Sequence, residues 1–237
     1  APFMGDAVRP ALETLHEMKN ESGPWCLCVS TDMAPPSPVP KRFFDLYDPE
    51  TIPLPESFHD DLKDKPRVYR RMREALWGQL SMTEVRRTIA HYWALCSLQD
   101  AYLGMLLDEL DRTGQADNTL VLFVGDHGDS CFAHGVLHMG IHSFSENYHV
   151  PAVVRWPRGI EAPGRTEDAL VSLADFAPTF LELAGCATQP RFTGRSLVPF
   201  LQNRTPENWR TAWFSQTKGN EVYYTQRIVR TDHYKYV

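Results

Sequence analysis

The strongest constraint in this chain is the order of three patterns between residues 81 and 129. Ser81 and Glu84 make a capping-box pair, and Val85, Ile89, Tyr92, Cys96, Leu103, Leu106 and Leu110 recur at helical spacing until Gly114. This predicts one long helix over 82–112. Asp117-Asn118 then turns the chain into five consecutive apolar residues, Leu120 to Val124. An apolar run without alternation predicts a strand buried on both faces, as parallel strands are. The polar string Gly125-Asp126-His127-Gly128-Asp129 follows at once. A helix feeding a buried strand that ends in polar residues is the layout of an α/β sheet, where ligands bind beyond the carboxyl ends of the strands.

The flanking segments fit that class. Residues 6–19 carry Leu12, Leu15 and Met18 on one helical stripe, with Asp6 placed to cap the start. After the Ser22-Gly23-Pro24 break, WCLCVS (25–30) predicts a short buried strand. Prolines at 35, 36, 38, 40, 49, 53, 55 and 66 deny residues 32–66 a regular ladder, because each removes a donor and fixes φ. A connection this long in a compact domain is usually functional, and Phe43, Phe44 and Tyr47 can anchor it as an ordered active-site wall. AVVRW (152–156) predicts a further strand, followed by a helix with Asp175 as cap, Pro178 in its first turn and Gly185 as its stop. From about residue 209, the short β-rich runs WFSQ, EVYYTQ, RIVRT and HYKYV predict an antiparallel sheet. The expected organisation is therefore residues 1–205 as one part of an α/β domain and 206–237 as the start of a smaller antiparallel subdomain.

Composition narrows the function classes. The chain has 237 residues, 43% hydrophobic and 23% charged, enough to bury a substantial core. Its formal charge is −6 with both signs mixed along the length, so no basic tract offers itself to a nucleic acid or an anionic membrane. No apolar run approaches the roughly 20 residues of a spanning helix, and Ala1 to Asp6 lack a signal-peptide layout. The chain starts almost directly in a helical pattern, from which a truncated chain is expected. Its five cysteines, Cys26, Cys28, Cys96, Cys131 and Cys186, form no CxxC. Buried free thiols are expected, and the redox compartment stays open.

Asp126 and His127 offer one hard oxygen and one imidazole nitrogen, with flanking glycines that let the backbone turn both toward a cation. A polar turn with an Asx-type hydrogen bond explains the dipeptide equally well, since two ligands do not make a metal site. The surrounding string decides between them. HYWALCSLQDAYLGMLLDELDRTGQADNTLVLFVGDHGD resembles the helix, turn, strand and DHGD segment of the sulfatase family, within the alkaline-phosphatase superfamily. The similarity continues in AHGV, YHVPAVVRWP, the Asp175 to Thr179 helix start, GRSLVP (194–199) and RIVRTDHYKYV; FDLYDPETIPLPESF (44–58) resembles a loop of many bacterial members.

That resemblance implies an alkaline-phosphatase-like α/β sheet flanked by helices. It implies that Asp126 and His127 are the late pair of ligands to a divalent cation, usually calcium and in some relatives manganese or zinc, which would neutralise sulfate oxygens. It also implies a catalytic place near the substrate for His134, where a surface or supporting histidine is the plainer reading. The substrate implied is a small-molecule or carbohydrate sulfate ester. The family nucleophile is a formylglycine made from C/S-x-P/A-x-R, and none of the five cysteines fits that pattern; the nucleophile is expected upstream. Two positions depart from the family. Pro36 stands at the usual His of a Pro-His-x-Pro, and Met139 aligns with a sulfate-holding Lys although it can neither donate nor carry charge. His138 and His142 flank Met139 and are expected to serve as surface hydrogen-bonding groups rather than as its replacement. A sulfatase, a phosphodiester or phosphonate monoester hydrolase, and a noncatalytic metal-binding member are the three readings.

Overall fold

A computed structural model describes residues 7–31, 37–139, 142–218 and 224–237. The chain forms two compact units, Ala1–Ala116 with Asp129–Asn147, and Asp117–Gly128 with Tyr148–Val237.

The first unit is built on one helix. α4 runs Met82–Arg112, 31 residues, opened by the expected capping box: Ser81 accepts the Glu84 N–H, and Glu84 returns a bond to the Ser81 backbone. Gly114, at φ +73, follows its end. The buried face is Val85, Ile89, Ala90, Ala94, Leu95, Leu98, Tyr102 and Leu110. It differs from the expected stripe in its middle turns, where Cys96 is exposed and small alanines let neighbours approach. α1 (Val8–Met18) packs there, with Val8 against Leu98 and Tyr102. Asp6, its expected cap, lies outside the described residues.

The proline-rich segment is ordered where described. It carries the single turn α2 (Lys41–Phe44) and a 3-10 turn at Glu56–His59. Phe44, Tyr47, Leu54 and Phe58 pack on the cluster of Ile52, Val85, Ile89, Ala90 and Phe132. Tyr47 anchors it most firmly, edge-on to Trp93 at 5.5 Å with its hydroxyl 2.6 Å from Ser97 Oγ. α3 (Arg67–Met72) continues into a π-turn over Arg73–Trp77. Residues 25–30 do not form the expected strand. Trp25, Leu27 and Val29 are half-buried, while Cys26 and Cys28 are exposed. The run has a strand's alternation but, among the described residues, no neighbour to complete a ladder. The expectation of buried thiols fails with it: four of the five cysteines are exposed and Cys131 is half-buried.

The second unit contains both sheets. β1 (Val121–Val124) and β2 (Ala152–Arg155) form where expected, but they pair antiparallel, Val121 with Arg155 through Val124 with Ala152. β1 is half-buried rather than buried on both faces. Its apolar run signals a need for burial and carries no information about the direction of the neighbour. α5 (Ser145–Tyr148) is a single turn at the unit boundary, and α6 (Phe176–Leu183) and α7 (Val198–Leu201) follow β2. Asp175 precedes α6 as the far partner of a capping box with Ser172, not as a side-chain cap of α6. Gly185 follows α6 at φ +68. β3 (Trp213–Lys218), β4 (Thr225–Arg230) and β5 (Lys235–Tyr236) form the expected antiparallel sheet in the order β3-β4-β5. No helix among the described residues is long and apolar enough to cross a membrane.

Candidate active site

β1 delivers Asp126 and His127 at its carboxyl end. Gly125 N–H donates to Pro151 O at 3.1 Å, extending the pairing one residue past the strand before the chain turns away. The turn does not use a left-handed glycine at 125, and a Cβ there would find ordinary contacts at 3.5 Å. Asp126 Oδ1 accepts the His127 N–H at 2.9 Å, the Asx-type bond that favours such a turn. The other oxygen, Oδ2, lies 3.7 Å from His127 Nε2. His127 Nδ1 is 3.3 Å from Gly128 O; donating there leaves Nε2 its lone pair. Two donor atoms 3.7 Å apart can share one cation at ligand distances of about 2.0–2.6 Å. The carboxylate is 88% and the imidazole 45% exposed, so neither is committed to the protein interior. Among the described residues, no group of three or more His, Cys, Asp or Glu could hold a metal. The pair suits a cation chemically and supplies only part of a coordination sphere.

His134 belongs to the first unit and stands in a strained loop. Cys131, Phe132 and His134 all have positive φ, at 41°, 66° and 57°, and Gly135 follows at 66°. Non-glycine residues in this region each cost about 1–2 kcal/mol, so the surrounding structure must enforce the conformation. The fully buried Phe132 ring, the Cys131 N–H bond to Asp129 Oδ1 at 2.7 Å, and the Phe132 N–H bond to Val136 O at 2.9 Å do so. The imidazole stacks on Phe144 with centroids 3.7 Å apart, and its Nδ1 lies 2.7 Å from Asp60 Oδ2. Leu62 N–H, donating at 2.9 Å, is the main cause holding the Asp60 carboxyl below the usual aspartate range; burial opposes it and His134 assists.

Sequence reasoning missed Asp60. It sits 74 residues from His134 in a run, FHDD, whose two acids look alike on paper. Met139 is half-buried, its N–H donating to His138 Nδ1 at 2.9 Å. His142 is not the surface group expected. It has no exposure, and neither ring nitrogen has a hydrogen-bond partner among the described residues. Pro36 lies outside the described residues.

Comparison with known proteins identifies the family. The family model described as Sulfatase matches residues 7–186, and that described as N-sulphoglucosamine sulphohydrolase, C-terminal, matches 139–237. The multifunctional alkaline phosphatase superfamily protein PehA of Trinickia caryophylli is 32% identical over 178 residues, covering 69% of this chain and 34% of its own length. Arylsulfatase K of Gallus gallus is 32% identical over 166 residues, covering 68% of this chain and 30% of its own. The chain thus spans about a third of these curated relatives. The phosphonate monoester hydrolase of Agrobacterium radiobacter superposes with a TM-score of 0.81 over 95% of this chain and 50% of its own, at 24% identity. A structure solved in complex with its substrate D-glucosamine-2-N,6-O-disulfate does so at 0.81 over 98% and 60%, at 20% identity. These superpositions establish the alkaline-phosphatase-like fold, and with the family match across residues 7–186, the chain belongs to the sulfatase family.

Proposed function

We propose that this chain is the carboxy-terminal part of a metal-dependent sulfatase that hydrolyses sulfate esters of small molecules or carbohydrates. In this reading, residues 1–205 contribute to the catalytic domain and 206–237 begin its antiparallel subdomain. The observation that carries it is the pair of donor atoms on Asp126 and His127, 3.7 Å apart at the end of β1, in a chain of this family. A carboxylate oxygen and an imidazole nitrogen suit calcium, or alternatively manganese or zinc. Bound there, the cation would supply positive charge against sulfate oxygens. The early acidic ligands and the formylglycine nucleophile are assigned to residues outside these 237, in keeping with the third of the relatives' length that the chain spans. His134 is assigned a place beside the leaving group. A sulfated sugar is favoured by the likeness to the N-acetylglucosamine-6-O-sulfatase of Bacteroides thetaiotaomicron, 36% identical over 123 residues, covering 51% of this chain and 22% of its own length.

Met139 supports a second reading within the same superfamily. An uncharged side chain at a sulfate-holding position relaxes the demand for a sulfate ester, and phosphodiester or phosphonate monoester hydrolysis becomes the alternative. Met139 and Pro36 together motivate the third, a noncatalytic metal-binding member. The test is an assay of aryl sulfate, phosphodiester and phosphonate monoester hydrolysis, with calcium, manganese or zinc, on the 237-residue chain and on the longer protein containing it. The longer protein is expected to turn over sulfate esters, the 237 residues alone not to. In the longer protein Asp126→Ala should abolish metal binding and turnover, while Met139→Ala should change little. Turnover by the 237 residues alone refutes the reading, hydrolysis of phosphonates without sulfates selects the second, and an inactive long protein that binds metal selects the third.

A further inference from the structure

We propose that Asp60 is a positioning residue for His134, holding its imidazole in the Nδ1–H tautomer so that Nε2 carries the free lone pair. The proposal rests on the reading that places His134 beside the leaving group. An ionised carboxylate can only accept, so the 2.7 Å approach of Asp60 Oδ2 to Nδ1 places a proton on Nδ1. A neutral imidazole has one ring proton, and spending it on Asp60 strips Nε2. No hydrogen bond reaches Nε2 among the described residues, and the side chain keeps 18% of its surface exposed.

Further contacts brace the ring plane and the two segments that carry the pair. Phe144 stacks on the imidazole with an interplanar angle of 14°, which blocks a ring flip about χ2 without displacement of that face. Ser57 Oγ accepts the His134 N–H at 3.1 Å, tying the histidine backbone to the segment that carries Asp60. Arg73 ties the same two segments from the other side: one guanidinium nitrogen, Nη1, donates to the carbonyls of both Asp60 and His134, the latter at 3.3 Å. Gly135 makes room for it, since a Cβ there would lie 2.9 Å from Arg73 Cδ and 3.0 Å from Phe58 O. A carboxylate orienting one imidazole nitrogen while the other stays available is the arrangement that suits a histidine to accept or deliver a proton. Asp60 need not touch substrate for any of this.

The experiment is nitrogen-15 NMR of the histidine rings in the full-length protein, at a pH where imidazole is neutral, alongside turnover. Wild type is expected to show His134 with a protonated Nδ1 and a bare Nε2. Asp60→Ala should move His134 toward the Nε2–H form that free imidazole prefers, and should lower kcat about a hundredfold, the lower end of what a positioned acid–base group contributes, with KM little changed. Asp60→Asn, whose amide oxygen can still accept from Nδ1, should recover part of both effects. Asp61→Ala, next door but bonded to Lys63, should change neither. An Nε2–H tautomer in wild type, or an unaltered tautomer in Asp60→Ala, overturns the proposal even if the variant folds poorly, because the first reading needs no variant. The expected tautomer change with undiminished turnover upholds positioning by Asp60 and overturns instead the placement of His134 beside the leaving group.

Discussion

Asp175 and Arg210 form a two-pronged ion pair in which the carboxylate has no solvent exposure. Arg210 Nη2 donates to Oδ1 at 2.5 Å and Nη1 donates to Oδ2. The backbone N–H groups of Arg195 and Ser172 each donate at 2.7 Å to the same two oxygens. Every lone-pair direction that matters is used, which is the condition under which a buried charge is tolerated. The pair joins the start of α6 to the chain entering β3, so it organises much of the second unit. Asp175→Ala should therefore cost about 3–5 kcal/mol, as expected when one partner of a buried pair is left alone. Arg210→Lys should also destabilise, since a single ammonium cannot span both oxygens. Urea unfolding followed by tryptophan fluorescence measures both.

Gly194 and Gly185 should fail for different reasons when changed to alanine. A Cβ on Gly194 would lie 1.9 Å from Ala174 O and 2.3 Å from its carbonyl carbon, both backbone atoms that cannot swing aside. That approach is what lets the next residue, Arg195, donate to Asp175. Gly194→Ala should lose well over the roughly 1 kcal/mol of an average substitution, with loss of the Asp175 network. Gly185 has open space around it but φ +68, so Gly185→Ala should cost only the left-handed penalty of about 1–2 kcal/mol. Matched unfolding curves separate the two.

Local signals carried far in this chain and pairing signals did not. The bounds and capping box of α4 were legible because a cap, a period and a stop all act within one segment. The positions of β1, β2 and the terminal sheet were legible for the same reason. The direction of the β1–β2 pairing was not, nor was the lack of a strand partner for residues 25–30 among the described residues, since both depend on which segment lies alongside. At the candidate site the same division holds. Asp126 and His127 are neighbours in sequence and could be read together, whereas Asp60 meets His134 only through the folding of two distant loops. His142 misled because a histidine two or three residues from other loop polar groups reads as surface, and the packing of the distant Tyr69 and Trp77, with Phe144, is what buries it.

The first unit should depend on packing along α4 more than on its cap. Ser81→Ala removes a side-chain acceptor at an exposed helix start and should cost about 1 kcal/mol. Leu98 has no exposure and touches α1 through Val8, so Leu98→Ala should cost about 2–5 kcal/mol. The two sites share no partner, and the double variant should lose close to the sum. Chemical denaturation of the single and double variants checks the ranking and the additivity together.

His142 should make the protein sensitive to mild acid. Its ring is fully buried, edge-on to Tyr69 at 4.8 Å, 6.1 Å from Trp77 and nearly parallel to Phe144 at 5.7 Å. Burial pushes its pKa down to about 4, and the nearby His134 and His138 add to the effect. In the unfolded chain the same imidazole titrates near 6.5. Between those values the unfolded state binds a proton that the folded state refuses. The contribution is thus fully present above about pH 6.5 and is lost progressively as pH falls to about 4. At 1.36 kcal/mol per pH unit the difference amounts to about 3 kcal/mol. Asp60 acts lower on the scale, because its depressed pKa stabilises above the ordinary carboxyl value of 3.8 and is lost only as pH falls through the folded value. His142→Phe keeps an aromatic ring in the same surroundings and removes two buried nitrogens that lack partners among the described residues. The variant should be at least as stable as wild type at neutral pH and should lose less stability between pH 6.5 and 4. Urea midpoints of both proteins across that range measure the gap, which should widen toward acid; parallel curves would mean that the folded protein accommodates a charged His142.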